Sequence, residues 1–224
     1  MTRLLVLTAV DLEARDLARH LGLAPVGGGT WARFGGGAIE IVAVGVGAPH
    51  LVPRLETVSA PQLVVSAGAC GALAPGLAVG ALVVPDTVLT PDGRRQATAV
   101  AGGLRRHGTM LTTDRVLEDA AAKSRLWLST GALAVDMESA AILDWAAARG
   151  VPGMVVRGVS DPASRGVPAD LARVVHDGRV RPLRAVGAVL ARPRALADAM
   201  ALRAGTTAAL KTVAATIGTL ARTL

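Results

Sequence analysis

The chain has no tyrosine, one phenylalanine and three tryptophans, so aromatic rings make up 2% of its 224 residues. Surfaces that hold single strands or unstacked RNA bases are built on such rings; nucleic acid is therefore not expected as a partner. A single cysteine, Cys70, excludes an internal disulfide framework and a cysteine-based zinc site. It fits a reducing, cytoplasmic compartment. No apolar run reaches the roughly 18 residues of a membrane span. At the N-terminus, Asp11, Glu13, Arg15 and Asp16 follow the first apolar stretch too closely for a signal peptide. Charged residues are only 18% against 51% hydrophobic, which supplies a sizeable core and excludes intrinsic disorder.

Positive charge is present in excess, at +7, but it is unevenly placed. Residues 1–169 carry 15 basic and 14 acidic side chains, whereas residues 170–224 carry nine and three. The basic excess thus belongs to the C-terminal segment. We divide the chain into a main unit, 1–169, and a basic helical extension of the same domain, 170–224; there is no internal repeat.

Leu4 to Leu7 reads as a short buried strand and Asp11 to Leu21 as a helix. Strands are expected at Ile39–Val44, Leu63–Val65, Ala81–Val84, Ala132–Val135 and Met154–Val159. A helix begins near Pro49 and runs to Val58, residues 90–108 read as a loop, and Met137–Arg149 is an alanine-rich helix closed by Gly150. Strands alternating with helices predict an α/β fold, a central mixed and mostly parallel sheet flanked by helices. Beyond Pro168 three helices are expected, Leu183–Leu190, Arg194–Leu202 and Thr207–Leu220, separated at Pro193 and Gly205.

Two stretches carry chemistry. Val135-Asp136-Met137-Glu138-Ser139-Ala140-Ala141 and Val156-Arg157-Gly158-Val159-Ser160-Asp161 each place an acid where a strand gives way to the next element. Ligands of open α/β sheets gather at strand carboxyl ends. Glu13, just after the first strand, is a third such acid, and the three could converge on one pocket. The same spacing also follows if Glu13 and Glu138 simply favour helix N-termini and Asp161 caps a turn before Pro162. Spacing alone leaves both readings open.

These residues resemble the nucleoside phosphorylase superfamily, and within it the 5′-methylthioadenosine/S-adenosylhomocysteine nucleosidases. Val135–Ala141 is similar to that family's V-E/D-M-E-x/S-A-A ribose motif, and Val156–Asp161 to its V-R-x-I/V-S-D motif. Gly45-Val46-Gly47 is similar to its G-I/V-G turn and Gly68–Leu73 to its G-S-x-G-x-L loop. Thr112-Thr113-Asp114-Arg115-Val116 is a looser match to a base-edge segment. The matches run in order over about residues 1–165. The resemblance implies a single-domain phosphorylase/hydrolase-like fold, a nucleoside substrate, no cofactor or metal, and a homodimer.

Breaking an N-glycosidic bond builds positive charge on the ribose and negative charge on the departing base, so an acid at the base and a carboxylate at the sugar both lower the barrier. By resemblance, Asp161 protonates adenine, and burial or neighbouring carboxylates should help it hold that proton. Glu138 accepts hydrogen bonds from ribose hydroxyls, Met137 packs on the sugar, Ser160 orients Asp161, and Val116 meets the base edge through its backbone. Where the family often carries phenylalanine, this chain has Val116, without a ring to stack. Gly45 and Gly47 in the matched turn, and Gly68 and Ala69 in the matched loop, are further substrate-binding positions that the resemblance implies.

Glu13 separates two reactions. Hydrolysis needs a base to activate water, and the nucleosidases place a glutamate at this position. Phosphorolysis needs an anion pocket, where a carboxylate repels phosphate. At the places where purine phosphorylases carry an arginine and a serine, this chain has Ser66 and Ala69; the nucleosidase serine is also absent at Ala69. Arg157 and the Gly45–Gly47 turn stay open as hosts for phosphate. Water is the expected nucleophile, acting on a 5′-substituted adenosine. Two alternatives stand beside it: phosphorolysis of a lipid-linked nucleoside, and a non-catalytic nucleoside- or lipid-binding module.

Other features carry less. Gly45–His50 lacks the third glycine of a dinucleotide fingerprint. Cys70 has no histidine near it in sequence, and His20, His50, His107 and His176 lack metal-ligand spacing. In the tail, Arg179, Arg181, Arg184, Arg192, Arg194 and Arg203 alternate with apolar residues. They read either as solvated helix faces or as a surface for anionic lipid at the inner membrane face. This tail, with Ser160–Ala163 and the Asp177–Arg179 turn, is similar to the hopanoid-associated phosphorylases, a branch whose substrate is adenosylhopane.

Overall fold

In the computed structural model, β1 (Leu4–Thr8) is buried along its whole length. A strand covered on both faces belongs inside a parallel sheet, and β1 pairs in parallel with β4 (Ile39–Ala43) on one side and β5 (Leu63–Ala72) on the other. The structure describes residues 3–27, 31–167, 175–176, 179–180 and 193–224.

Around β1 the remaining elements are α1 (Asp11–Leu21), β2 (Ala24–Pro25), β3 (Arg33–Gly36), α2 (Leu51–Leu55), β6 (Leu82–Val83), β7 (Thr87–Leu89), β8 (Arg95–Ala97), β9 (Thr109–Thr112), α3 (Ala120–Thr130), β10 (Ala134–Asp136), α4 (Ser139–Ala147) and β11 (Gly153–Asp161). A small pair, β12 (Val175–His176) and β13 (Arg179–Val180), and the helix α5 (Pro193–Thr223) complete the chain. The main sheet is mixed, in the order β2-β3-β4-β1-β5-β10-β9-β7-β8, with β11 against β5 and β6. Its centre is parallel, through β4, β1, β5 and β11. The antiparallel pairs include hairpins at the edges and the β5–β10 joint.

Alternation along β1 divides the core. Leu4 and Val6 pack with Leu17 of α1 and Leu210, Val213 and Ile217 of α5. Leu5 and Leu7 pack on the other face with Leu51 and Leu55 of α2 and Ile142 and Trp145 of α4. Each fully buried side chain of this size contributes about 1.5–3 kcal/mol, so α5 is held to the sheet by its apolar stripe.

Four expectations are corrected. The helices expected at Arg194–Leu202 and Thr207–Leu220 are one continuous helix, and Gly205 lies inside it. Gly205 is there for close approach: a Cβ on it would overlap the carbonyl oxygen of Ser160. Gly158 works the same way, since a Cβ there would stand 2.5 Å from the Ala209 carbonyl oxygen. The expected helix at 183–190 and the tail residues 181–192 lie outside the described residues. The loop expected over 90–108 contains β8, and the helix expected from Pro49 to Val58 is confined to Leu51–Leu55. The strand that begins at Leu63 does not stop at Val65 but continues through the glycines to Ala72.

Candidate active site

The ends of β1, β4, β9, β10 and β11 and the starts of α1 and α4 meet over β5. Glu13, on the first turn of α1, is buried, with Oε1 accepting the Ala69 N–H at 2.9 Å and Oε2 accepting the Ala9 N–H at 3.1 Å. The close passage of β5 beneath it requires glycine: Gly68 has φ +143°, and a Cβ there would stand 2.8 Å from Glu13 Oε1 and 3.0 Å from Arg157 Nη1. Burial raises the Glu13 carboxyl above its ordinary range, opposed by the Arg157 charge and by the hydrogen bonds from the Ala69, Val10 and Ala9 amides.

Glu138 occupies the N-cap position of α4, directly after β10. Its Oε1 accepts the Gly47 N–H at 3.1 Å, and its Oε2 lies 3.3 Å from Arg157 Nη2. Burial pushes its carboxyl up to about 7, against the pull of Arg157, with the charges of Asp136 and Glu13 adding to the rise. Arg157, on β11, is 1% exposed and fully engaged on one edge. Nη2 pairs with Asp136 Oδ2 at 2.7 Å and donates to Ser66 Oγ at 2.9 Å, while Nη1 donates to the Ala69 carbonyl at 3.2 Å. Asp136 is fixed in turn, accepting from Thr112 Oγ1 at 2.8 Å and from the Ser139 amide at 3.2 Å.

Asp161 ends β11 at a register shift against β5, and such irregularities re-aim side chains. Ser160 Oγ lies 2.6 Å from Asp161 Oδ1 and 3.1 Å from the Cys70 carbonyl. The other carboxylate oxygen, Oδ2, is ion-paired to Lys123 Nζ, which also donates to the Pro162 carbonyl at 3.0 Å. Lys123 comes from α3 and is 1% exposed. Burial or a neighbouring carboxylate was expected at Asp161; the side chain is buried, and its direct charged partner is the Lys123 ammonium. Burial pushes the Cys70 thiol up, which makes it a poor nucleophile.

These groups line a cavity of about 280 Å³. Glu13, Ala69, Val116, Met137, Glu138, Arg157, Ser160 and Asp161 all border it. Gly45, Gly47 and Gly68 do not. Gly47 acts through its amide on Glu138, Gly68 gives room beneath Glu13, and Gly45, at φ +88°, turns the chain so that Val46 reaches the wall. Leu117, Val167 and Leu202 of α5 add apolar surface. Asp136 and Lys123 are site residues that sequence reasoning did not single out. Asp136 stood in the same motif as Glu138; Lys123 had no motif. Among the described residues no group of three or more histidine, cysteine or acidic side chains could hold a metal. A larger hollow, about 850 Å³, lies at the far end of α1 between His20 and Arg222 and shares none of these groups.

The family profile of the Phosphorylase superfamily matches residues 3–103 and 99–191. The chain belongs to this superfamily. Among curated members, it is 26% identical over 153 residues to a DeoD-type purine nucleoside phosphorylase of Caldanaerobacter subterraneus, covering 57% of this chain and 66% of that one. It is 35% identical over 85 residues to a 5′-methylthioadenosine/S-adenosylhomocysteine nucleosidase of Mycobacterium bovis, covering 36% of this chain and 33% of the nucleosidase. Among solved superfamily folds, the nucleosidase of Neisseria meningitidis in complex with methylthio-immucillin-A superposes with a TM-score of 0.72 at 17% identity, over 100% of both chains. At that identity the likeness is one of fold. Among the described residues, no helix is long and apolar enough to cross a membrane.

Proposed function

We propose that the chain cleaves the N-glycosidic bond of a 5′-substituted adenosine with water as the nucleophile, releasing adenine. The observation that carries this reading is the commitment of Arg157. Its Nη2 is taken up by Asp136, Glu138 and Ser66 and its Nη1 by the Ala69 carbonyl, beside a Glu13 carboxyl held on backbone amides. Four carboxyl groups and two buried cations leave no surplus positive charge for a phosphate. Arg115, a further cation at the cavity, is exposed at the rim beside Asp114.

In this reading Glu138 accepts hydrogen bonds from the ribose hydroxyls and stabilises the positive charge that grows on the sugar. Glu13, whose carboxyl burial raises above its ordinary range, takes a proton from the attacking water. Asp161, oriented by Ser160, faces the departing base. Val116 supplies backbone at the base edge and Met137 packs on the sugar. The apolar Val46, Leu117, Val167 and Leu202 suit an uncharged base and 5′ group.

Phosphorolysis is the second reading, since one curated relative is a phosphorylase. The two separate in one experiment: 5′-methylthioadenosine is incubated with the protein in phosphate-free and phosphate-containing buffer, and products are resolved by chromatography. Hydrolysis gives adenine and the free 5-thio sugar at equal rates in both. A rate that depends on phosphate, with a sugar 1-phosphate as product, refutes the hydrolytic reading. The same assay with a long apolar 5′ group, with anionic vesicles present or absent, tests the lipid-linked substrate and the tail as its membrane contact. A homodimer remains part of this proposal and is read by the mass of the protein in solution.

A further inference from the structure

Lys123 is an unusual residue to bury. It is 1% exposed, it lies on the surface helix α3, and no other residue of that helix is fully covered. Burying an ammonium is costly unless it is paired and hydrogen-bonded. Here Asp161 and the Pro162 carbonyl meet that need, and the pair borders the cavity. The placement is built. Asp119 caps α3 by accepting the Ala122 N–H at 2.6 Å, and the Val167 N–H donates to the Leu117 carbonyl at 3.0 Å, tying the chain beyond Asp161 to the start of α3. Gly166 completes the seat, because a Cβ there would overlap the Glu118 backbone.

We infer that Lys123 is the positioning residue that keeps a transferable proton on the Lys123–Asp161 pair at neutral and alkaline pH. The inference rests on the proposed glycosidic cleavage. A lone carboxyl has lost its proton at neutral pH, and a carboxylate cannot donate. The pair carries one proton in either form, as ammonium and carboxylate or as amine and carboxylic acid. As the bond between ribose carbon and base nitrogen breaks, its electron pair goes to the base. The base nitrogen takes a proton from the Asp161 carboxyl, and that carboxyl is supplied from Lys123 Nζ, which is left as a neutral amine. Water adds to the ribose carbon and its proton goes to Glu13; solvent exchange then takes that proton from Glu13 and returns one to Lys123. The sum is nucleoside plus water giving free base plus free sugar.

Other charged and titratable groups face the pair from the elements around it. Cys70 of β5 carries a thiol that burial pushes up, Asp136 of β10 is bound to Arg157, and Arg115 and Arg165 belong to exposed loop segments. Glu13 and Glu138 also border the cavity and titrate in wild type and variant alike. The test is therefore a ratio in which their contribution cancels.

The experiment measures kcat for adenine release from 5′-methylthioadenosine by wild type and Lys123→Met between about pH 5 and pH 9. In the variant the proton sits on a carboxyl alone, whose ordinary value is about 3.9, against about 10.4 for a lysine. With its carboxyl near the ordinary value, the variant should already fall about tenfold below wild type at pH 5. The ratio of variant to wild type should fall further, toward tenfold per pH unit as pH rises, reaching a loss of about 10²-fold or more at the alkaline end. A ratio that stays constant across the range, or a variant inactive at every pH, overturns the inference. Lys123→Arg is the second variant: it keeps the charge, but a guanidinium does not release its proton. Its kcat should fall by about 10²-fold with KM little changed; wild-type kcat in Lys123→Arg overturns the inference as well. A wild-type protein that releases no base from purine nucleosides refutes the proposed function itself, a result distinct from either variant outcome.

Discussion

Glu138 makes the free protein less stable than it could be, by an amount that depends on pH. Its carboxyl is held at about 7 from an ordinary 4.5, chiefly by burial. An acid whose folded value lies above its unfolded value binds more protons in the folded state across that interval. Folding stability then falls as pH rises from about 4.5 to about 7 and stays lowered above it. The interval corresponds to about 3 kcal/mol. Glu138→Gln keeps the shape and the Gly47 hydrogen bond but cannot ionise. It should be equal in stability to wild type near pH 4.5 and more stable by about 3 kcal/mol near pH 8, which is about 6–12 °C in Tm for a chain of this length.

Activity should move the other way. Hydrogen bonds from ribose hydroxyls to a carboxylate are worth about 1.5–3 kcal/mol each, so kcat/KM for adenine release should fall by at least about tenfold in Glu138→Gln. The assay is urea unfolding of both proteins at the two pH values, followed by kinetics at neutral pH. A variant less stable than wild type at pH 8 refutes the reasoning. It would mean that the attraction between Arg157 and Glu138 outweighs the cost of burying the carboxylate.

Glu13→Gln should lower kcat by about 10²–10⁴-fold with the fold intact, the range expected of a lost general base; an unchanged kcat removes Glu13 from that role. In the wild type, the acid limb of the kcat/KM profile should lie above the ordinary carboxylate range, because burial raises both Glu13 and Glu138; a limb at or below about 4.3 contradicts this. Gly205→Ala should destabilise by about 1–3 kcal/mol, the scale of overpacking, measured by urea unfolding. Helix propensity alone predicts the opposite sign, a gain of about 1 kcal/mol, so a more stable variant would show that α5 does not press on Ser160.

Legibility in the sequence followed burial. β1 and α1 could be read because their apolar residues sit at the spacing of a doubly covered strand and an amphipathic helix. Glu13, Glu138 and Asp161 could be placed together because each follows a strand that joins the same sheet, and the structure brings all three to one cavity. What the sequence hid is equally specific. α3 shows no apolar stripe, and its fully buried residue is the lysine that meets Asp161. Charge at that position reads as solvent exposure. Gly205 carries the ordinary signal of a helix end, yet it marks contact with a strand far away in sequence. Both cases turn on a partner that local pattern cannot contain.

The same two residues show how the helices serve the site. Asp161 sits at the end of a long strand, at a register shift in its pairing with β5. α5 presses on that end from one side, with Gly205 against Ser160 and Gly158 beneath Ala209. α3 holds it through Lys123, and the Ser160 hydroxyl fixes the remaining oxygen. In the proposed reaction, a carboxyl that faces a departing base needs its rotamer locked before substrate arrives, because small displacements cost large factors in rate. In this chain two elements remote in sequence, α3 and α5, lock it.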